Sequence, residues 1–432
     1  MNISILVILA IVIAITLGYI TNINTGFFAI AFAYIIGCFF LKLKPADVIK
    51  MWPISIFFVI FSVSLFYNFA LVNGTLEKLA MKLLYSCRKF PIILPLVIYF
   101  AATLVAGLGA GYFSVLAFFA PLTLMLCKKT GMNEIVGAIS VNYGALAGAN
   151  FMTSASGIIF RGLIDNAGYQ EKSFSFATSI FSATFILPIV VISVLIFFTK
   201  KDSNENVKID MAKPEAFDET QKKNLYLIFA MISLILIFPI LSNITPNSEV
   251  IKFVNSKIDI GLIAIIFSIV AFMIKLAPQK DVIAKVPWNT LIMICGVGML
   301  IQVAIKAGTI DMLSSWVQTN IPTFILPFVL AIIAGCMSFF SSTLGVVCPA
   351  LFPIVPGIAA NTGLNPALLF TAIIVGAQAS SISPFSSGGS LILGSCSTEE
   401  ERNKLFSQLL FKGIPICVTG GMIAALILLM VL

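Results

Sequence analysis

Residues 3–20, "ISILVILAIVIAITLGYI", carry no charged side chain, and runs of this kind recur along the chain, "NLYLIFAMISLILIFPIL" and "GLIAIIFSIVAFMIKL" among them. At 1.5 Å rise per residue, such runs are long enough as helices to cross a hydrocarbon core about 30 Å thick. Inside lipid every backbone N–H and C=O must be satisfied within the protein, which leaves helices or a closed barrel. Barrel strands alternate polar and apolar residues, and these runs do not, so a barrel is excluded. Composition agrees: of 432 residues 59% are hydrophobic and 10% charged, with a mean hydropathy of +1.08. The expected fold class is an all-α integral membrane protein. The first apolar run has no basic flank and no small-residue cleavage site, and reads as a retained helix.

Eight cysteines are scattered without a CxxC pair, and the chain has no histidine. Thiols used as small apolar residues explain this pattern better than a zinc, haem or Cys/His site. An intramembrane enzyme would need a nucleophile with its base, or a metal, and the spans offer neither. The net charge of +8 reports membrane topology here rather than affinity for nucleic acid.

The second half repeats the first at a shift of 232 positions. Pro95 falls on Pro327, Pro121 on Pro353, Thr130-Gly131 on Thr362-Gly363, Asn133 on Asn365, Gly144-Ala145 on Gly376-Ala377, Gly157 on Gly389 and Gly162 on Gly394. Coincidence at Pro and Gly is informative because Pro fixes φ and Gly frees it, whereas Leu recurs by chance in any apolar chain. The expected organisation is a first repeat over 1–199, a charged cytoplasmic linker over 200–222 and a second repeat over 223–432. Segments 91–128 and 323–360 are too long for one crossing and too short for two with a loop. With "AGLGAG" and "FFSSTLG" at their centres, they read as re-entrant hairpins. Segments 133–165 and 366–395 read as broken helices. Each half then crosses five times, so the second is inverted relative to the first. Of the 26 basic residues, eighteen fall on one face, which this assigns to the cytoplasm, with both termini extracytoplasmic in an inner membrane. The expected layout is ten crossings and two hairpins.

Each broken helix carries a polar stretch, "GALAGANFMTSASGIIFRG" in the first half and "GAQASSISPFSSGGSLILGS" in the second. Unpaired backbone in lipid costs several kcal/mol, roughly, so corresponding breaks point to a transporter's binding site. Half-helix N-termini present N–H donors to an anion, while freed carbonyls and Ser, Thr and Asn oxygens suit a cation. The midplane segments contain no Asp or Glu, which favours Na⁺ held by neutral oxygens over a proton relay. Arg161, beside the first break, has two readings: a partner for a substrate carboxylate, or a side chain reaching the outer interface.

The two halves, the "SST" tip and especially "GAQASSISPFSSGGSLIL" resemble the ion-transporter superfamily, within it the malonate/dicarboxylate carrier branch related to the divalent-anion:sodium symporters. The resemblance covers nearly the whole chain. It implies an elevator-type homodimer importing a di- or tricarboxylate with Na⁺ as coupling ion and no other cofactor. It implies substrate contacts from Ser341, Ser342, Thr343, Asn150, Thr153, Ser154, Ser383, Ser386 and Ser387. Na⁺ ligands are implied at Gly109, Ala110, Gly148, Asn150, Ser156, Ser342, Ser380, Ser383 and Gly388. Relatives carry Ser-Asn-Thr at both tips; here the first tip is Gly109-Ala110-Gly111, which leaves only backbone groups there. An inorganic oxyanion carrier or a cation antiporter of the same superfamily, and more remotely a channel, stand as alternatives.

Overall fold

A computed structural model describes residues 3–21, 23–86, 91–199, 213–245, 248–340, 342–396 and 398–431. All regular structure among them is helical. The first half contains α1 (Ile3–Thr21), α2 (Thr25–Ile35), the short α3 (Pro45–Ile49), α4 (Ile54–Val72) and the amphipathic α5 (Thr75–Ser86). These are followed by α6 (Leu94–Val105), α7 (Tyr112–Thr130), α8 (Glu134–Ala149), α9 (Ala155–Asn166) and α10 (Ser173–Thr199). The second half begins with α11 (Glu219–Ile244), α12 (Glu249–Lys257), α13 (Ile260–Met273), the short α14 (Gln279–Ala284), α15 (Trp288–Lys306) and α16 (Thr309–Asn320). It ends with α17 (Leu326–Phe340), α18 (Cys348–Leu351), α19 (Val355–Thr362), α20 (Pro366–Ala379), α21 (Ser387–Gly394), α22 (Glu399–Gln408) and α23 (Ile414–Val431).

From α2 onward the order of elements recurs at close to the 232-residue spacing, with α4 answered by α15, α5 by α16, α8 by α20 and α10 by α23. Seven helices among the described residues are long and apolar enough to cross a membrane, and six shorter ones are apolar over 10–17 residues. The chain is a multi-pass membrane protein. Part of the expected linker, 200–212, lies outside the described residues, as does Ser341.

The residues that set the repeat set its geometry too. Gly131 and Gly363 end their helices in the left-handed conformation (φ 71° and 72°), which glycine adopts without a Cβ clash. Two residues on, Asn133 and Asn365 cap α8 and α20, each side-chain oxygen accepting from a backbone N–H, Ile135 N at 2.9 Å and Ala367 N at 3.0 Å. That satisfies a helix-start donor that lipid cannot. Gly144 lies against the carbonyl of Tyr99 and Gly376 against that of Ala331, where a side chain would strike backbone. Small residues thus let each broken helix approach the first arm of its hairpin.

Hairpin one consists of α6, which ends in a wide turn over Ala106–Ala110, and α7. Its tip is Gly109 (φ 98°) and Gly111 (φ 72°). Hairpin two runs through α17, a wide turn over Thr343–Val347, α18 and α19. Their second arms continue to Thr130 and Thr362, two residues beyond the expected ends, because the terminating signal is the glycine that follows each threonine. The breaks lie at 150–154 and 380–386, between α8 and α9 and between α20 and α21. The short helices α3, α12 and α14 have no counterpart in the expected layout, because none is long enough to carry a spanning run.

Candidate functional site

The tip of the first hairpin packs against the second half's broken helix, and the tip of the second shares a cleft with the first half's. Tyr112, just after the first tip, packs against Gly388 at the start of α21, so closely that a Cβ on Gly388 would collide with the phenol oxygen. At the pseudo-equivalent place Leu344, just after the second tip, lines a cleft together with Ser156 at the start of α9. Four elements that are distant in sequence therefore converge in one region.

The cleft encloses about 780 Å³ of empty space, its open mouth included. Its walls come from α4 (Ser64, Tyr67, Asn68), the first tip (Gly109 to Ser114), the start of α9 (Ala155, Ser156, Ile158, Ile159) and the α14–α15 connection (Lys285, Pro287). The predicted residues Gly109, Ala110 and Ser156 are brought together here. Ser156 is 2% exposed, and its hydroxyl has no protein partner among the described residues. Nearby, Thr153 is fully buried and its Oγ1 has no hydrogen-bond partner among the described residues. A buried hydroxyl without a partner carries a desolvation cost of about 1–3 kcal/mol unless a ligand or ion satisfies it. Its backbone carbonyl accepts from Tyr67 Oη at 3.4 Å.

Other predicted residues hold the breaks in shape. Ser154 Oγ donates to Ala106 O at 2.7 Å, and Ser380 Oγ donates to Gly335 O at 2.8 Å. Each hydroxyl ties its break to the first arm of the hairpin in its own half. Gly148 packs against the carbonyl of Thr103. Ser386 caps α21, its Oγ accepting from Gly389 N at 3.2 Å while donating to Ser381 O at 2.6 Å and Ser383 O at 2.8 Å. Ser383 Oγ accepts from Phe385 N at 3.2 Å. Ser387 is exposed. In the second hairpin Ser342 Oγ accepts from Gly345 N at 3.1 Å, and Thr343 shares a 2.7 Å hydrogen bond with Ser338. Neither lines the cleft; Leu344 does. Asn150, expected on both ligand sets, instead uses both amide hydrogens and its carbonyl on Thr184 and Gln378. Arg161 sets its guanidinium 5.4 Å over the ring of Phe174.

Sequence reasoning missed the polar chain that joins the halves. Tyr112 Oη donates to Asn142 Oδ1 at 2.7 Å, and Asn142 Nδ2 donates to Ser381 Oγ at 2.9 Å. The next residue, Tyr143, sends its hydroxyl to the carbonyls of Gln378 and Ala379 at 3.1 and 3.0 Å. The available signal was Asn142-Tyr143 in the middle of "AISVNYGALAGA", where a buried amide demands a partner.

Helical hairpins and broken helices that converge on partly unsatisfied polar groups in a multi-pass membrane protein point to a membrane carrier. The family described as "Dicarboxylate carrier protein MatC N-terminus" matches residues 1–149 and 223–381, and the chain belongs to it. Among solved structures it is similar to the Alcanivorax borkumensis YdaH transporter, at 14% identity and a TM-score of 0.60, over 88% of this chain and 86% of that one. No curated protein is matched. The family is one of carriers, so the protein is a transporter and not an enzyme.

Proposed function

We propose that the protein imports small di- or tricarboxylates of the malonate or C4-dicarboxylate type, coupled to Na⁺, across the cytoplasmic membrane. The observation that carries this reading is the chemistry of the convergence region: helix starts, free hydroxyls at Ser156 and Thr153, and neutral oxygens, with no Asp or Glu among the residues that line the cleft. Half-helix N-termini suit carboxylates, and neutral oxygens suit Na⁺. The family description supplies the substrate class.

The two halves act as inverted repeats with both termini outside. The hairpins and broken helices move together as an elevator against scaffold helices that pair two protomers. The amphipathic helices α5 and α16 precede the two hairpins and serve as the arms between scaffold and moving part. Efficient crosslinking between hairpin tips of different protomers would contradict this assembly.

Uptake in proteoliposomes tests the function. Malonate, succinate, malate and citrate are offered with and without an inward Na⁺ gradient, and then with a protonophore at constant Na⁺ and membrane potential. Saturable uptake of at least one of them, dependent on Na⁺ and indifferent to the protonophore, is the expected result. Abolition by the protonophore overturns the coupling, and sulfate uptake without carboxylate uptake overturns the substrate class.

A further inference from the structure

The cleft shared by the first hairpin tip and the start of α9 has one basic side chain in its lining, Lys285, and no acidic one. Lys285 is exposed and has no ion-pair partner among the described residues. Its place is built. Asn68 on α4, itself 7% exposed and part of the cleft lining, donates from Nδ2 to the carbonyl of Val282 at 3.0 Å. Val282 is fully buried, so α14 is pinned to α4 three residues before the lysine. The polar groups facing the same space include Ser156, nine-tenths buried and without a protein partner, at the N-terminus of the twelve-residue α9. The repeat shift puts Pro53 at the position that corresponds to Lys285, so this charge belongs to one half alone.

We propose that Lys285 receives one carboxylate of a dianion whose other carboxylate is received at Ser156 and the α9 N-terminus, making it the residue that selects dianions over monoanions. A monocarboxylate occupies the helix end and leaves the ammonium in water; a dicarboxylate satisfies both. Asn68 is a positioning residue that acts through α14. The inference rests on the dicarboxylate reading above.

Binding titrations on the purified full-length protein in Na⁺ test it, with malonate and succinate as dianions and propionate as monoanion. Lys285→Gln is expected to weaken the better dianion about fivefold, the scale of a solvent-accessible ion pair, and to leave propionate unchanged. Lys285→Arg is expected to restore dianion binding, and Lys280→Gln, which removes an exposed charge outside the cleft, to bind like the parent. If the parent binds a dianion and Lys285→Gln binds it equally well, or loses propionate in the same proportion, the role of Lys285 is wrong and the transport reading stands. If the parent binds neither malonate nor succinate, the dicarboxylate reading falls and this inference with it.

Discussion

Asn150, at the end of α8, and Gln378, in the last turn of α20, exchange two hydrogen bonds: Asn150 Nδ2 to Gln378 Oε1 at 3.0 Å and Gln378 Nε2 to Asn150 Oδ1 at 3.1 Å. The pair joins the two halves next to both breaks, and Asn150 also donates to Thr184 Oγ1 at 3.0 Å. Both side chains are buried. Replacing either by alanine strands the other amide, at a cost of about 1–3 kcal/mol. Asn150→Ala and Gln378→Ala should each lower thermal stability in detergent, and the double variant should lose less than the two together. Strict additivity would show that the amides do not act as a pair.

The first hairpin tip depends on glycine at one position more than at the other. Gly109 has φ 98° and faces the ring of Tyr67 where a Cβ would stand, whereas Gly111, at φ 72°, has open space around it. Gly111→Ala meets no neighbour and costs only the backbone penalty of placing a side chain at φ 72°, ψ 156°, a region essentially confined to glycine, about 1–3 kcal/mol. Gly109→Ala adds a collision with a fully packed ring and should abolish transport or folding. Expression and uptake of the two variants side by side decide the matter; equal behaviour would rule out the Tyr67 contact.

Gly388 and Tyr112 give a test of tip-to-break contact across the halves. A methyl on Gly388 would collide first with Tyr112 Oη, with Ser381 O at 2.8 Å and Asn142 Oδ1 at 3.0 Å. Gly388→Ala should therefore impair uptake severely, and adding Tyr112→Phe, which removes the obstructing oxygen, should recover part of it. Tyr112→Phe alone frees Asn142 Oδ1 from a 2.7 Å hydrogen bond and should cost about 1 kcal/mol of stability. An unrelieved defect in the double variant would show that the Ser381 carbonyl, and not the phenol alone, limits the space at Gly388.

What the sequence made legible follows from which residues act locally. Pro, Gly and Asn determine turns and caps within a few residues of themselves, so Gly131-Asn133 and Gly363-Asn365 marked where α7 and α19 end and where α8 and α20 begin. Pairings across the fold left no such mark. Asn142 meets Ser381, and Asn150 meets Gln378 across 228 positions, and nothing in the neighbourhood of either asparagine names its partner. The serine-rich second break showed where hydroxyls gather but not which are occupied by the backbone, because that division depends on how the chain turns between Ser380 and Ser387.

That division yields a contrast between two adjacent serines. Ser386 is buried and its hydroxyl makes three hydrogen bonds, one of them the cap of α21. Ser387 is exposed at the first position of the same helix. Loss of a serine cap costs about 1 kcal/mol, and here the one hydroxyl proton, shared between the Ser381 and Ser383 carbonyls of the break, goes with it. Ser386→Ala should lower thermal stability measurably and disturb transport through misplacement of the break. Ser387→Ala should leave stability unchanged and, by removing a charge-assisted bond of about 1.5–3 kcal/mol to a substrate carboxylate, raise the half-saturation concentration at least about tenfold. Ser390→Ala, past the glycine pair, serves as the reference, since its Oγ donates to Ser387 O at 3.0 Å on the helix surface. Unfolding curves and uptake kinetics on the three variants separate the roles. A Ser387→Ala protein with the parent's half-saturation concentration would make Ser387 a packing residue and leave the carboxylates to Ser156 and Lys285 alone.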